Sequence, residues 1–391
     1  MTAPRLEIDL EKIQHNARTL VERLGARGIS VTGVTKAALG SPEIAGALLR
    51  AGVSGLGDSR IENIEAMRRA RIPAPMTLIR SPMPSQAGQV VAHADVSFNT
   101  ELDVIARLSS AAREAGRTHG VVLMVELGDL REGIMPGDLE NAVRQTLGFA
   151  NIALKGIGAN LACRSGVSPD AANMAELSAL ADRIETTFDL ALDTVSGGNS
   201  GNVPWALSGA DTGRINNLRL GEAILLGREP LHRQPIDGLH TDAITLFAEV
   251  IEAKAKPSQP WGELAQTAFG QTQPGKDRGP ILQTILAIGR QDVDPDGLSA
   301  PPGVEILAAS SDHLIVDPGN RALPVGDEIA FQLNYSALLR AMTSPFVAKV
   351  AGNAEGAGLA KVNKGPQSSK ILQPLPHPLS QTVEARVKSA N

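Results

Sequence analysis

Lys36 ends a short apolar, β-prone run, Ser30-Val31-Thr32-Gly33-Val34-Thr35-Lys36, which reads as a buried strand delivering one lysine to its C-terminal tip. An unpaired ammonium is costly to desolvate and tends instead to lose its proton. The neutral amine that results is a nucleophile toward an aldehyde. The chemistry on offer is a Schiff base, most naturally one holding pyridoxal phosphate (PLP). The alternative is a strand-end lysine that snorkels to water. Only the Schiff-base reading requires a phosphate cradle and further polar groups at the ends of neighbouring strands.

Such groups are present. Ser196-Gly197-Gly198-Asn199-Ser200 closes a later β-like run, and its small residues leave backbone N–H groups and hydroxyls free to cradle a phosphate at the start of the next helix. The run after it gives Arg219-Leu220-Gly221-Glu222, with a second glycine beside the expected phosphate. An arginine at a pyridine nitrogen keeps that nitrogen unprotonated and weakens the ring as an electron sink, which suits proton exchange at Cα. Arg131, in the turn Gly128-Asp129-Leu130-Arg131-Glu132-Gly133, is placed to donate to the cofactor's phenolate oxygen, or else is a solvated loop arginine. Asn160, at the end of Gly156-Ile157-Gly158-Ala159-Asn160, is placed to pack on the ring or bond a cofactor oxygen.

These residues need a scaffold that gathers strand ends. From the N-terminus to about residue 230, short runs of Val, Ile, Leu and Gly alternate with amphipathic helical stretches. The runs are Ser30 to Lys36, Val53 to Asp58, Met76 to Ser81, Val96 to Asn99, Gly120 to Leu127, Leu154 to Leu161, Leu192 to Gly198 and Asn217 to Ala223. Ser41-Pro42-Glu43 and Ser168-Pro169-Asp170 are helix-start signals between them. Eight repeats over roughly 200 residues predict a (β/α)8 barrel, whose active site lies at the C-terminal ends of its strands. A doubly wound sheet would carry a glycine loop after its first strand, where Thr35-Lys36 stands instead. The expected organisation is a barrel over 1–235, a mostly β domain over 236–350, and a flexible tail over 351–391 rich in Gly, Pro, Ser, Gln and Lys.

Composition narrows the function further. A net charge of -5 with interspersed signs gives no basic face for nucleic acid. The single cysteine, Cys163, forms no intrachain disulfide, the charged N-terminal segment does not read as a signal peptide, and no apolar run is long enough for a membrane span. The cytoplasm is the expected compartment. Seven scattered histidines and no paired cysteines give no metal-binding spacing.

Taken together, the lysine at the first barrel strand, the Gly-x-x-Arg-x-Gly turn, the Gly/Asn/Ser turn and the Arg-x-Gly strand resemble the alanine racemase family of barrel PLP enzymes. The resemblance covers about residues 5 to 350. It is nearest to the ornithine racemase branch through Gly57-Asp58-Ser59-Arg60-Ile61-Glu62-Asn63, Val195 to Ser200, Ile288-Gly289-Arg290-Gln291-Asp292-Val293 and Ser311-Asp312-His313. It implies Lys36 as cofactor anchor and one proton-transfer base, and Tyr335 on the phosphate. Further implications are an amino-acid substrate, and a homodimer in which the β domain of one subunit closes the barrel mouth of the other. Alanine racemases follow the Ile-Gly pair with a tyrosine as second base, where this chain has Arg290, and they have a histidine where this chain has Asn160. The second base is therefore open among Asp292, Asp312 and His313. Arg290 suits a substrate carboxylate, and Asp312 either pairs with a distal ammonium of ornithine or a similar basic amino acid or is a strand-end carboxylate bonded to backbone. The competing readings are a non-catalytic PLP carrier, against which the β domain speaks, and a PLP aldolase or decarboxylase on the same scaffold.

Overall fold

The computed structural model describes residues 4–270 and 275–352, so most of the expected tail lies outside the described residues. The chain starts with β1 (Arg5–Asp9) and then builds eight parallel strands that close in sequence order into a barrel. These are β2 (Ser30–Val34), β3 (Gly55–Asp58), β4 (Met76–Leu78), β5 (Val96–Asn99), β6 (His119–Val125), β7 (Ile152–Ala159), β8 (Thr194–Gly198) and β9 (Asn217–Leu220). Each expected barrel run overlaps one of them, with β6 and β7 beginning before the expected Gly120 and Leu154.

Side-chain alternation explains where the core sits. In β9, Leu218 and Leu220 are fully buried in the main core with the surrounding helices, while Asn217 and Arg219 point into the barrel. The barrel interior holds its own small apolar plug of Phe98, Val122 and Met124. On β2 the same period carries Thr32 and Val34 inward, and Lys36 follows them, two residues past the strand, at the start of a short 3-10 turn Lys36–Ala38. Local signals start the outer helices. Ser41 Oγ accepts from Ile44 N at 3.3 Å with Pro42 in the first turn of its helix. In the other expected start signal the cap is Asp170 rather than Ser168, because Asp170 and Asn173 form a reciprocal capping box.

The second sheet contains β10 (Ile244–Pro257), β11 (Pro280–Leu286), β12 (Leu298–Ser299), β13 (Glu305–Ala309), β14 (Leu314–Asp317), β15 (Glu328–Leu333) and β16 (Ala348–Gly352). Its backbone order is β12-β15-β10-β11-β14-β13, with all neighbours on that path antiparallel. Two features depart from the sequence reading. The N-terminal β1 belongs to this sheet and not to the barrel, pairing antiparallel with β10 and parallel with β16. Ala351 and Gly352, assigned to the tail, are strand residues opposite Ile8 and Asp9.

Asn16, in the helix Leu10–Gly25, joins the start of the chain to the end of the barrel. Fully buried, its amide donates to Ile224 O at 2.9 Å and His240 O at 2.8 Å and accepts from His240 N at 2.7 Å. Asn16→Ala strands three backbone groups, one buried and two half-buried, with a buried one costing about 1–3 kcal/mol when unpaired. The expected loss is about 3 kcal/mol of stability, measured by denaturant unfolding.

Candidate active site

The C-terminal ends of the barrel strands surround a cavity of about 420 Å³ whose wall includes Lys36, Arg131, Asn160, Cys163, Arg219 and Tyr335. Lys36 is half-buried in it. Its amine is held below the ordinary lysine value, first by burial and further by the charges of Arg131 and Arg219, with Cys163 and Asp58 pulling the other way. Thr35, beside it, is anchored away from the cavity, donating from Oγ1 to Asp58 Oδ2 at 2.7 Å. Asp58 in turn accepts from Arg60 N at 2.9 Å and Asn63 Nδ2 at 3.0 Å, so the turn that carries Lys36 has a fixed base.

Arg219 is the most constrained group. Only 5% exposed, its guanidinium donates to Ser196 Oγ at 2.5 Å, Ala159 O at 2.8 Å and Asn160 Oδ1 at 3.3 Å, and lies 4.9 Å from the Phe98 ring centroid. Ser196 Oγ donates in turn to Asn217 Oδ1 at 2.7 Å, and Asn217 Nδ2 donates to Thr32 Oγ1 at 3.0 Å. Burial lowers the Arg219 pKa to about 10, with the charge of Arg131 adding to the effect, so the side chain stays cationic at neutral pH.

This network corrects the reading of Ser196 as a phosphate ligand. Its hydroxyl is fully buried under Arg219 and takes no part in the cavity wall. Gly197 and Gly198 are also off the wall, and their lack of Cβ is needed for packing. A Cβ on Gly197 would stand 2.7 Å from Ile215 Cγ2, and one on Gly198, where φ is +148°, 2.1 Å from Asn202 Oδ1. Asn199, Ser200, Gly221 and Glu222 do line the cavity. A Cβ at Gly221 would lie 3.2 Å from Val34 Cβ, so glycine lets β9 close against the Lys36 strand.

Asn160 supplies the clearest sign that the cavity is a ligand site. Its Oδ1 is used by Arg219 and Asn199, while its Nδ2 is buried with no partner among the described residues. An acceptor oxygen belongs there. With a lysine amine of lowered pKa, two arginines and the Asn199–Ser200 turn in one cavity, the donor set fits an anionic, phosphorylated aldehyde such as PLP. Tyr335 enters from the second domain at the start of the helix Tyr335–Thr343, capped by Asn334 Oδ1, and burial pushes its phenol pKa well up.

Several positioning residues had no signature in the sequence. Glu126 accepts from Gly128 N at 2.6 Å and Leu130 N at 2.9 Å, shaping the Arg131 turn. Fully buried Asp129 accepts from Cys163 N, Arg164 N and Ser165 N at 3.0–3.2 Å, tying that turn to the loop after β7. Glu229 does the same for Leu231, His232 and Gln234, fixing the loop that brings Arg233 to pair with Glu222. Leu39, Leu130, Ala162 and Arg233 in these turns have left-handed backbones, each costing about 1–2 kcal/mol. Such anchors offset that cost.

Four expected site residues stand apart from the cavity. Asp292 is buried and accepts from Ser344 Oγ at 2.8 Å, a staple within the second domain rather than a base. Asp312 is exposed and bonded to His313 Nδ1 at 2.9 Å and to the Ser310 and Ser311 hydroxyls. Arg290 faces Asp296 Oδ2 at 3.7 Å and the Phe269 ring. None of the four lines the cavity of its own chain.

Comparison with known proteins gives concordant matches. The family profile described as "Alanine racemase, N-terminal domain" matches residues 8–229. The lysine racemase of Thermotoga maritima is 40% identical, over 90% of this chain and 99% of its own, and the ornithine racemase of Acetoanaerobium sticklandii 39% identical over 88% and 99%. Among solved structures, the alanine racemase of Streptomyces coelicolor superposes with a TM-score of 0.71 at 20% identity, over 89% of this chain and 98% of that one. The D-threonine aldolase of Filomicrobium marinum does so at 0.68 and 18%, over 88% and 89%, so the architecture alone does not select a reaction.

The lowered Lys36 pKa has a consequence for stability. Between that value and the unfolded value of 10.5 the unfolded chain binds the extra proton, so the cost of burying Lys36 is full below this window and disappears as pH rises through it. Ligand-free Lys36→Met is therefore expected to melt above the native protein at pH 7, with the gap closing toward pH 10.5. Calorimetry across that range measures it.

Proposed function

The chain belongs to the alanine racemase family, and from that membership we propose that it is a PLP-dependent racemase interconverting the L and D enantiomers of a basic amino acid, lysine or ornithine. The observation that carries the reading is the convergence of Lys36 and Arg219 on one cavity beside an unpartnered Asn160 amide. Lys36 would anchor the cofactor and Arg219 would face its ring nitrogen. Arg131 and Asn160 would meet ring oxygens, and Asn199, Ser200, Gly221 and Tyr335 would receive the phosphate. The bound cofactor supplies an electron sink adjacent to the substrate Cα.

The residues then determine what that sink is used for. A cationic Arg219 disfavours a protonated ring nitrogen, which limits the sink to a proton's removal and return and opposes decarboxylation. Lys36, with its amine pKa lowered by burial, holds its proton less tightly than an ordinary lysine, as a group that takes and returns a proton requires. The strongly raised phenol of Tyr335 stays protonated and serves as a hydrogen-bond donor.

Substrate choice rests on the two relatives, named lysine and ornithine racemase, and on the cavity's carboxylates. Asp312 is replaced in the distal-ammonium role by Glu132, which lines the cavity and bonds Arg131 Nη2 at 3.1 Å. A head-to-tail homodimer accounts for Arg290, Asp312 and His313 standing away from their own cavity.

Purified protein with PLP, incubated with single L-amino acids and read by chiral chromatography, is expected to racemise lysine or ornithine at least tenfold faster than alanine. Equal or faster turnover of alanine would remove the basic-substrate reading, and no racemisation at all the enzyme reading. Lys36→Ala is expected to lose both the cofactor's bound absorbance and turnover. Glu132→Gln, which keeps the bond to Arg131, is expected to raise KM for the basic substrate about tenfold with kcat little changed, measured on the same assay.

A further inference from the structure

Racemisation needs a proton donor and acceptor on each side of the substrate Cα, and Lys36 serves one side only. We infer that Cys163 is the second proton-transfer residue, so that this chain completes the pair with a thiol from its own barrel. The inference rests on the racemase reading above and adds the residue that reading leaves unassigned.

Cys163 follows β7 whereas Lys36 follows β2, and in the closed ring β2 to β9 these strands lie three steps apart one way and five the other. Their C-terminal ends therefore face each other across the mouth. Both side chains line the same cavity, and Cys163 is near enough to act electrostatically on Lys36, Arg219 and Tyr335. The buried Asn160 amide nitrogen without a partner borders that cavity too, marking it as a ligand site on the Cys163 side.

Among the other ionisable side chains of the wall, Glu222 is ion-paired with Arg233 and Glu132 with Arg131, while the arginines stay charged, and the Ser59 and Ser200 hydroxyls are far weaker acids than a thiol. Tyr335 holds its proton too tightly. Asp292 is a buried staple away from the wall, and Asp312 and His313 are absent from the wall of their own chain's cavity, so that only a partner subunit would bring them to one, which the variants below test.

Cys163 is held for its side chain. Its backbone N–H is fixed by Asp129 at 3.2 Å, and the neighbouring Ala162 adopts a left-handed φ of +63°. The thiol itself is exposed, and its one hydrogen bond among the described residues comes from Asn199 Nδ2 at 3.4 Å. In one direction Lys36 Nζ takes the α-proton and the Cys163 thiol gives its proton to the opposite side. In the reverse direction the Cys163 thiolate takes the proton and the Lys36 ammonium gives one. Each turnover leaves one group with the proton the other has lost, and exchange with solvent restores both.

Because the chain has a single cysteine, thiol chemistry reports on this position alone. Iodoacetamide labelling followed by intact mass is expected to be slowed at least tenfold by PLP together with the basic amino acid. Cys163→Ser is expected to keep PLP absorbance, lose at least a thousandfold in racemisation, and still exchange the α-hydrogen of one enantiomer in D2O without inverting it. The assignment is overturned by unprotected labelling, by racemisation in Cys163→Ser within tenfold of native, or by exchange lost equally from both enantiomers. It is likewise overturned if Asp312→Asn or His313→Ala gives the one-sided exchange instead. A native protein that neither racemises nor exchanges any amino acid removes the racemase reading itself, and this assignment with it.

Discussion

The buried guanidinium of Arg219 is the constraint on which the rest of the site depends. A cation so deeply buried is normally neutralised by a carboxylate, because desolvation costs several kcal/mol. Among the described residues no acidic side chain forms an ion pair with it. Its compensation comes from the Ser196 hydroxyl, the Ala159 carbonyl, Asn160 and the face of Phe98. Neutral acceptors stabilise the charge without cancelling its field. That field reaches Lys36, where it adds to the lowering that burial imposes on the amine pKa, and it gives the cavity the positive potential that a phosphorylated ligand needs.

The same constraint explains the barrel's polar interior. Asn217, Ser196 and Thr32 occupy inward positions where a barrel usually packs branched apolar side chains. A valine at Ser196 would remove the acceptor for Arg219 and leave Asn217 without its donor. The apolar plug of Phe98, Val122 and Met124 is correspondingly small, and the main core lies outside the barrel, against the helices. Function is thus supported by interior polarity, and stability by the outer layer.

Legibility in the sequence followed the range of the interactions. The eight barrel strands and the positions of Lys36 and Arg219 could be read because they depend on local apolar periodicity and on which residues end a run. β1 and β16 could not, since each is defined by pairing with segments far away in the chain, and β16 has the look of the Gly- and Lys-rich segment that follows. Ser196 was placed in the right turn with the wrong role: the residue type suits a phosphate ligand equally well, and only side-chain parity decides that it points beneath Arg219. Asp129 and Glu229 resemble solvated loop acids until their carboxylates are seen to collect backbone donors. Cys163 was informative in the sequence only as the absence of a disulfide.

The second domain completes the site through a joint as specific as the barrel itself. Asn334 caps the helix that begins with Tyr335, and the same Oδ1 would be 2.2 Å from a Cβ at Gly297, so a glycine there is what admits the cap. Asn334 N also donates to Gly297 O at 2.8 Å, fixing the entry to the helix from both sides. Tyr335 reaches the Lys36 cavity only while the β domain stays on the barrel mouth. The pairing of β1 with both β10 and β16 provides for that, since β1 leads directly into the first helix, Leu10–Gly25, which Asp9 caps. A chain that placed its N-terminal strand in the barrel would lose this tie, leaving the packing of the helix Tyr335–Thr343 on the Lys36–Ala38 turn to hold the tyrosine near the lysine. The departure of β1 from the expected barrel is therefore part of how the site is held closed.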